Sequence, residues 1–468
     1  MARPPLRDYQ MQGIAFLSPR RAALLADEPG SGKSVQALEA AKAVGATRLM
    51  ILCPAIGALS WPQQIALWQD PTAPTVRWDK NAHKTPLPPG PLNLLVSYDQ
   101  LVHHRERLLL ALRHAEPFQC AILDECHYLK NRAATRTKSV YGGRIDTSKS
   151  SSVLHYLTDD APVWILSGTP WPNNFSEFWT HANALFPEFV KTLFHTDRVS
   201  FGQWLMALCD VHQGSYGAKV TGTKKTARPA IRAALGPIML RRTKKEILPD
   251  LKAPQFYDAP IAQKIPEGWD EDMEQELRHA GWDGTDQTLA QALRYLSATN
   301  PHVSSRRLML GDTKAAPSAG YINEWLANAP KDHKALVFAY HTSVLDTLSL
   351  ALAKHNPAKI TGRTSLPGRV DEEKRFQNDP DCRVFIGQIV AAGTSITLTA
   401  GSAVFIVEPD WVPAVNDQAI ARAHRQGQKR DVIVYWLSAP GSLDNRIMSV
   451  LKQKTQDLSE TLGDNTDD

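Results

Sequence analysis

Five short apolar runs, at residues 22–26, 49–53, 92–96, 120–123 and 163–166, punctuate the first part of the chain without the polar alternation of a half-exposed strand. Runs this short that stay apolar throughout read as strands buried on both faces, the signature of a parallel sheet flanked by helices. A helix-forming stretch at 34–44 separates the first two. After a polar, helix-prone middle with Gly-rich breaks at 213–223 and 281–285, the rhythm returns at 335–339, 384–386, 403–407 and 432–436, with helical segments at 343–354 and 417–424 between runs. The pattern predicts an α/β chain of two parallel-sheet lobes, and 468 residues that are 43% hydrophobic are enough to fill two separate cores.

Charge and cysteine usage narrow the classes further. The formal net charge of +5 is too mild to mark a nucleic-acid binder by itself, but its distribution is uneven. Residues 219–252 carry ten Lys or Arg against Glu246 and Asp250, which suits phosphates. Residues 267–286 carry eight acids against Arg278 and read as a solvated helix face. The five cysteines form no C-x-x-C pair, so neither a zinc knuckle nor a disulfide framework is indicated. Neither a secretory leader nor a membrane-length apolar run is present, so a cytoplasmic protein is expected.

The first apolar run leads into Asp27-Glu-Pro-Gly-Ser-Gly-Lys-Ser34 and then a helix. Glycines there let backbone N–H groups face phosphate oxygens, the helix start favours their charge, Lys33 reaches the β and γ phosphates, and the Ser34 hydroxyl can ligate Mg²⁺. The common G-x-x-x-x-G-K-[ST] pattern begins with Gly, where this chain has Asp27. At the carboxyl end of the run 120–123 stand Asp124 and Glu125, one placed to hold Mg²⁺ and the other to activate a water for attack on the γ-phosphate. Together these elements imply a hydrolase of nucleoside triphosphates.

Further segments say which kind. Leu6-Arg7-x-Tyr9-Gln10, the phosphate loop, Asp124-Glu-Cys-His127, Ser167-Gly-Thr-Pro170 and Gln418-Ala-Ile-Ala-Arg-Ala-His-Arg-Gln-Gly-Gln428 resemble, in order and spacing, the motifs of superfamily-two helicases. More narrowly, with Ser97-Tyr-Asp99, His127-Tyr-Leu-Lys-Asn131, Leu240-Arg-Arg-Thr-Lys-Lys245 and Gly387-Gln-Ile-Val-Ala-Ala-Gly-Thr394, the chain resembles the Swi/Snf family of ATP-dependent DNA translocases. The compact form is similar to the annealing and fork-remodelling branch and its bacterial and phage relatives.

The resemblance implies two RecA-like lobes with a nucleotide cleft between them and helical insertions. On it, residues 1–180 form lobe one with the phosphate loop, 181–320 a helical insertion and interlobe connection, 321–450 lobe two, and 451–468 a polar tail. ATP and Mg²⁺ are the implied cofactors, with Arg7, Gln10, Asp27, Gly30, Ser31, Gly32, Lys33, Ser34 and Gln418 around the nucleotide, and Ser34 and Asp124 toward the metal. Glu125 is the implied base. Arg422 and Arg425, three apart on one helix face, are the implied arginine fingers, and Ser167 and Thr169 couple nucleotide state to DNA. Implied DNA contacts are Ser60, Trp61, Ser97, Tyr98, Lys130, Asn131 and Thr394, with the basic segment 219–252 as a second patch. Ala421 and Gln426 depart from the family's final motif, which usually has Asp and an aliphatic residue there.

The function so implied is an ATP-driven translocase on double-stranded or forked DNA in replication, repair or recombination, working as a monomer on DNA, with replication or repair proteins as partners in a bacterial or phage-infected cell. The alternatives are a strand-separating DNA or RNA helicase, and a nucleic-acid-bound scaffold in which hydrolysis is incidental.

Overall fold

The computed structural model describes residues 3–55, 57–142, 145, 152–214, 217–261, 269–279, 282, 292, 301–392, 396–410, 413–440, 442, 451 and 459–462. Thr394, the Gly-rich break at 281–285 except Trp282, and nearly all of the tail 451–468 lie outside them. The chain divides into two compact units, one of Met1–Asp210 with Gly222–Ile247 and Leu458–Asp468, the other of Val211–Thr221 with Leu248–Asp457.

The first unit holds a seven-stranded sheet. Its strands are β1 (Ala22–Leu25), β2 (Arg48–Cys53), β3 (Thr75–Arg77), β4 (Leu92–Ser97), β5 (Cys120–Asp124), β6 (Val163–Leu166) and, after a two-stranded sheet of β7 (Cys209–Gly214) with β8 (Gly217–Thr223), β9 (Met239–Leu240). The order is β3-β4-β2-β5-β6-β1-β9 and every pairing is parallel. All five apolar runs read from the sequence are strands here. Their side chains are buried on both faces, in β2 for example Leu49 and Ile51 on one and Met50 and Leu52 on the other, and the first pair joins Ile122 and Trp164 in a core with α2 (Lys33–Ala43) and α3 (Gly57–Trp68). The first helix, α1 (Asp8–Leu17), packs against α2.

The second unit repeats the design with β10 (Gln255–Pro260), β11 (Ala335–Ala339), β12 (Ala358–Ile360), β13 (Val384–Gln388), β14 (Ala403–Ile406) and β15 (Ile433–Ser438), in the order β10-β15-β14-β11-β13-β12, again all parallel. Two hydrophobic clusters cover its faces.

Three expectations are corrected. The Gly-rich stretch 213–223, read as a break, is largely paired strand, β7 with β8. Within 181–320, read as helical, β9 joins the first sheet beside β1 and β10 joins the second beside β15. The helix expected at 417–424 spans Pro413–Ile420, so Arg422 and Arg425 lie in the turns that follow it rather than on a helix face.

Candidate nucleotide site

The parallel order fixes where chemistry can occur, because in such sheets ligands sit beyond the carboxyl ends of the strands. The strands β1, β6 and β5 are neighbours, with Leu25 opposite Leu166 and Leu166 opposite Asp124. The residues that follow them, the phosphate loop, Ser167 to Thr169 and Asp124 to His127, therefore emerge at one end of the sheet.

In the phosphate loop Gly30 has φ 89° and Gly32 φ 77°, left-handed conformations that need glycine. Gly32 is the residue from which α2 starts. Asp27 has no such conformation, so the glycine usual at that position is dispensable. Its fully buried carboxylate is instead taken by Arg242, at 3.0 Å from Nε and 2.6 Å from Nη2, and by the Gln36 amide at 3.3 Å. Arg242 also donates to the Tyr9 carbonyl at 2.5 Å and to Gln36 Oε1 at 3.0 Å. One guanidinium thus ties α1, the phosphate loop, α2 and β9 together. Arg241 donates to the carbonyls of Ala26 and Gly168, at 2.6 and 2.8 Å. Neither arginine was assigned a place at the site from sequence, where both counted toward a basic surface segment. Arg242, Lys244 and Arg228 are in fact buried, and Arg228 pairs with Glu460.

Lys33 Nζ donates to the carbonyls of Asp27 and Glu28 at 2.6 and 3.3 Å, and burial lowers its pKa against the opposing pull of Glu125, Asp27 and Asp124. Ser34 is the second residue of α2. Gln10 accepts from the Arg7 N–H at 3.0 Å, and the Tyr9 hydroxyl donates to the Ser31 carbonyl at 3.0 Å, so α1 braces the loop directly. A cavity of about 560 Å³ beside α1 is lined by Arg7, Tyr9, Gln12 and Arg242 among others.

Asp124 ends β5. Its Oδ1 accepts the Glu125 N–H at 3.0 Å, and burial with the neighbouring Glu125 charge raises its pKa. Glu125 has φ 47° and ψ 56°, a costly conformation for a non-glycine residue. Its Oε2 accepts from Ser167 Oγ at 3.3 Å and stands 3.2 Å from His127 Nδ1, itself 3.0 Å from Ser167 Oγ. Ser167 Oγ further accepts the Thr169 N–H at 3.1 Å. The expected catalytic and coupling residues Glu125, Ser167 and Thr169 therefore form one continuous chain of hydrogen bonds.

The expected DNA contacts fare differently. Trp61 and Tyr98 are each 1% exposed, and both point at Asp124: the Trp61 indole N–H donates to Oδ2 at 2.8 Å and the Tyr98 hydroxyl to the main-chain carbonyl at 2.8 Å. Ser97, also buried, caps the helix Tyr98–His103. In this structure these three side chains are turned to protein partners rather than to solvent. Ser60, Lys130 and Asn131 remain solvent-accessible, although Lys130 pairs with Glu177 at 2.9 Å.

In the second unit Arg422 and Arg425 each donate to the Ile396 carbonyl, at 3.4 and 3.3 Å, and Arg422 also to the Gln418 carbonyl at 3.0 Å. They converge despite the loss of helix. Burial lowers the pKa of Arg425, and Glu373 opposes the shift.

At this end of the sheet the buried hydroxyls Ser31 Oγ and Thr169 Oγ1 have no hydrogen-bond partner among the described residues. With the left-handed glycines, a lysine and a helix start, they fit a polyphosphate, and the Asp124 carboxylate with the Ser34 hydroxyl is a hard-oxygen donor set that suits Mg²⁺.

Comparison with known proteins decides the family. The SNF2-related domain matches residues 9–257, over half the chain, and the helicase conserved C-terminal domain matches 319–427. The chain belongs to the SNF2-related family. Relatives in it include the SWI/SNF-related matrix-associated actin-dependent regulator of chromatin subfamily A-like protein 1 homolog of Caenorhabditis elegans, 29% identical over 97% of this chain and 61% of that protein. The DNA annealing helicase and endonuclease ZRANB3 of Mus musculus is 29% identical over 98% of this chain and 41% of that protein. The chain thus spans less than two thirds of the length of each of these relatives. A solved Sulfolobus solfataricus SWI2/SNF2 ATPase core in complex with dsDNA covers 98% of this chain and 95% of its own, at 19% identity and TM-score 0.43. Among the described residues no helix is long and apolar enough to cross a membrane.

Proposed function

We propose that the chain is an ATP-driven translocase on double-stranded or forked DNA, of the annealing or fork-remodelling kind. The observation that carries the hydrolytic part is the convergence of the phosphate loop, the Asp124–Glu125 pair and Ser167 at the carboxyl ends of three adjacent strands. The DNA part rests on family membership and on a relative named as a DNA annealing helicase.

Lys33 and the loop N–H groups receive the phosphates, and Gln10 with Arg7 lies toward the base. Mg²⁺, held by Ser34 and Asp124, would neutralise phosphate charge. Glu125 takes the proton of the attacking water at its carboxylate, oriented by Ser167 and His127. The same Ser167 hydroxyl contacts the Thr169 amide, so a change in the charge of Glu125 is felt along the loop toward residue 169. Arg422 and Arg425 carry the arginine-finger role. Ser60, Lys130 and Asn131 are the remaining DNA-contact proposals of the first unit, Thr394 that of the second. Such backbone contacts make binding depend on salt more than on sequence.

The test is steady-state ATP hydrolysis without nucleic acid and with single-stranded DNA, duplex, a forked junction or RNA, with Lys33→Ala, Glu125→Gln and Arg422→Ala as controls. Stimulation by duplex or fork, lost in all three variants, supports the proposal. Stimulation by single strands or RNA alone assigns the chain to strand-separating helicases instead, and hydrolysis no greater than in the variants under every condition leaves only a scaffold.

A further inference from the structure

The direction of Trp61 is the feature the family resemblance did not anticipate. An indole N–H is a donor only, with no acceptor and no alternative orientation. At 2.8 Å from Asp124 Oδ2 it fixes which way that carboxylate turns, while the Glu125 N–H holds Oδ1 at 3.0 Å. Among the described residues each carboxylate oxygen thus accepts one hydrogen bond, a two-sided clamp that leaves a second lone pair on each for another partner. The ring itself is wedged in the core of the first sheet.

The placement is built from sequence neighbours. The strand β2 pairs with β5, and α3 begins four residues after β2 ends. At Gly57 an added Cβ would lie 3.2 Å from the Cys53 Cβ, so the missing side chain lets the first turn of α3 close over the strand end. One turn further on, Trp61 reaches across β2 to the end of β5. Tyr98, on the other side of β2 in the order β4-β2-β5, holds the main chain of the same aspartate, and its ring stacks on Tyr128 at 5.7 Å between centroids.

We propose that Trp61 is a positioning residue for the divalent cation: its N–H orients the Asp124 carboxylate so that the free oxygen edge meets the metal. The inference rests on the reading of Asp124 as the metal-holding carboxylate. Removing an outer group that orients a metal-binding carboxylate typically costs about 10- to 100-fold in metal affinity or activity.

The experiment replaces Trp61 by β-(3-benzothienyl)alanine, which keeps the bicyclic shape and lacks the N–H, and separately by Phe. Mn²⁺ affinity is measured on the ADP-bound chain by the electron paramagnetic resonance of free Mn²⁺, and ADP affinity is measured apart in EDTA. Both variants are expected to weaken Mn²⁺ by about 10-fold or more while ADP affinity in EDTA stays near that of the unaltered chain. Trp68→Phe, which removes a core indole from the same helix, is expected to leave Mn²⁺ affinity unchanged. An isosteric variant with unaltered Mn²⁺ affinity overturns the proposal, and so does an equal loss in Trp68→Phe, which would make the effect one of packing. If the unaltered chain shows no Mn²⁺ binding that Asp124→Asn abolishes, the reading of the site fails, and that outcome is distinct from failure of the Trp61 assignment alone.

Discussion

Replacing Arg242 by Met is the most searching perturbation of the first unit. The guanidinium is paired at 2.6 Å with a carboxylate that has no solvent exposure, and it satisfies the Tyr9 carbonyl and the Gln36 amide oxygen as well. Methionine fills most of the volume and restores none of the bonds. Removing one partner of a buried pair leaves the other charge uncompensated and costs about 3–5 kcal/mol. Part of this belongs to the stranded carboxylate, so the double variant Arg242→Met with Asp27→Asn should recover about 1–3 kcal/mol of it. The assay is native-state hydrogen exchange of the amides of α1 and α2, which reports the first unit without requiring the whole chain to unfold in one step. A single variant within about 1 kcal/mol of the parent, or a double variant no more stable than the single, would refute the assignment of Arg242 as the tie between these elements.

Two further outcomes follow from backbone and packing. Glu125 sits at φ 47°, where Asn is better tolerated than Glu, so Glu125→Asn should raise stability by about 1 kcal/mol while abolishing turnover, as read by thermal melting and ATP hydrolysis. In the helix Pro301–Asn328, a Cβ on Gly311 would meet Glu408 Oε1 at 2.1 Å, whereas one on Gly320 would meet nothing within 4 Å. Gly311→Ala should therefore cost about 1–3 kcal/mol and Gly320→Ala should be neutral or stabilising. The first should also flatten the acid limb of stability. Burial raises the Glu408 pKa, but its bonds to His341 outweigh burial and hold it below the usual 4.5, so its contribution is present above that pH and lost as pH falls through the folded value. Melting temperatures of parent and variant at pH 7 and in steps from pH 5 down to about 2 check both statements.

The central strands were legible because burial on both faces leaves an uninterrupted apolar run. The edge strands were not. In β3 and β10 most side chains are exposed, and β9 is two residues long, so none of them carries a pattern that differs from a loop. The phosphate loop and Asp124–Glu125 were legible because the chemistry demands those residue types next to one another. Arg242 was hidden because its partner, Asp27, lies 215 residues earlier, and a buried arginine looks like any other in a basic stretch. Trp61 and Tyr98 were noticed by their motifs, but their bonds to Asp124 were not legible, since a motif names a residue without saying which way its side chain points.

The reach of Arg242 also bears on how the chain is made. Asp27 is synthesised 215 residues before the cation that neutralises it, and at roughly 5–20 residues per second that is a lag of about 10 to 40 s. Until then the nucleotide loop has a carboxylate that must stay hydrated, which opposes its burial. The uncompensated carboxylate thereby favours an open phosphate loop until β9, the last strand of the first sheet, and Arg242 after it have been translated.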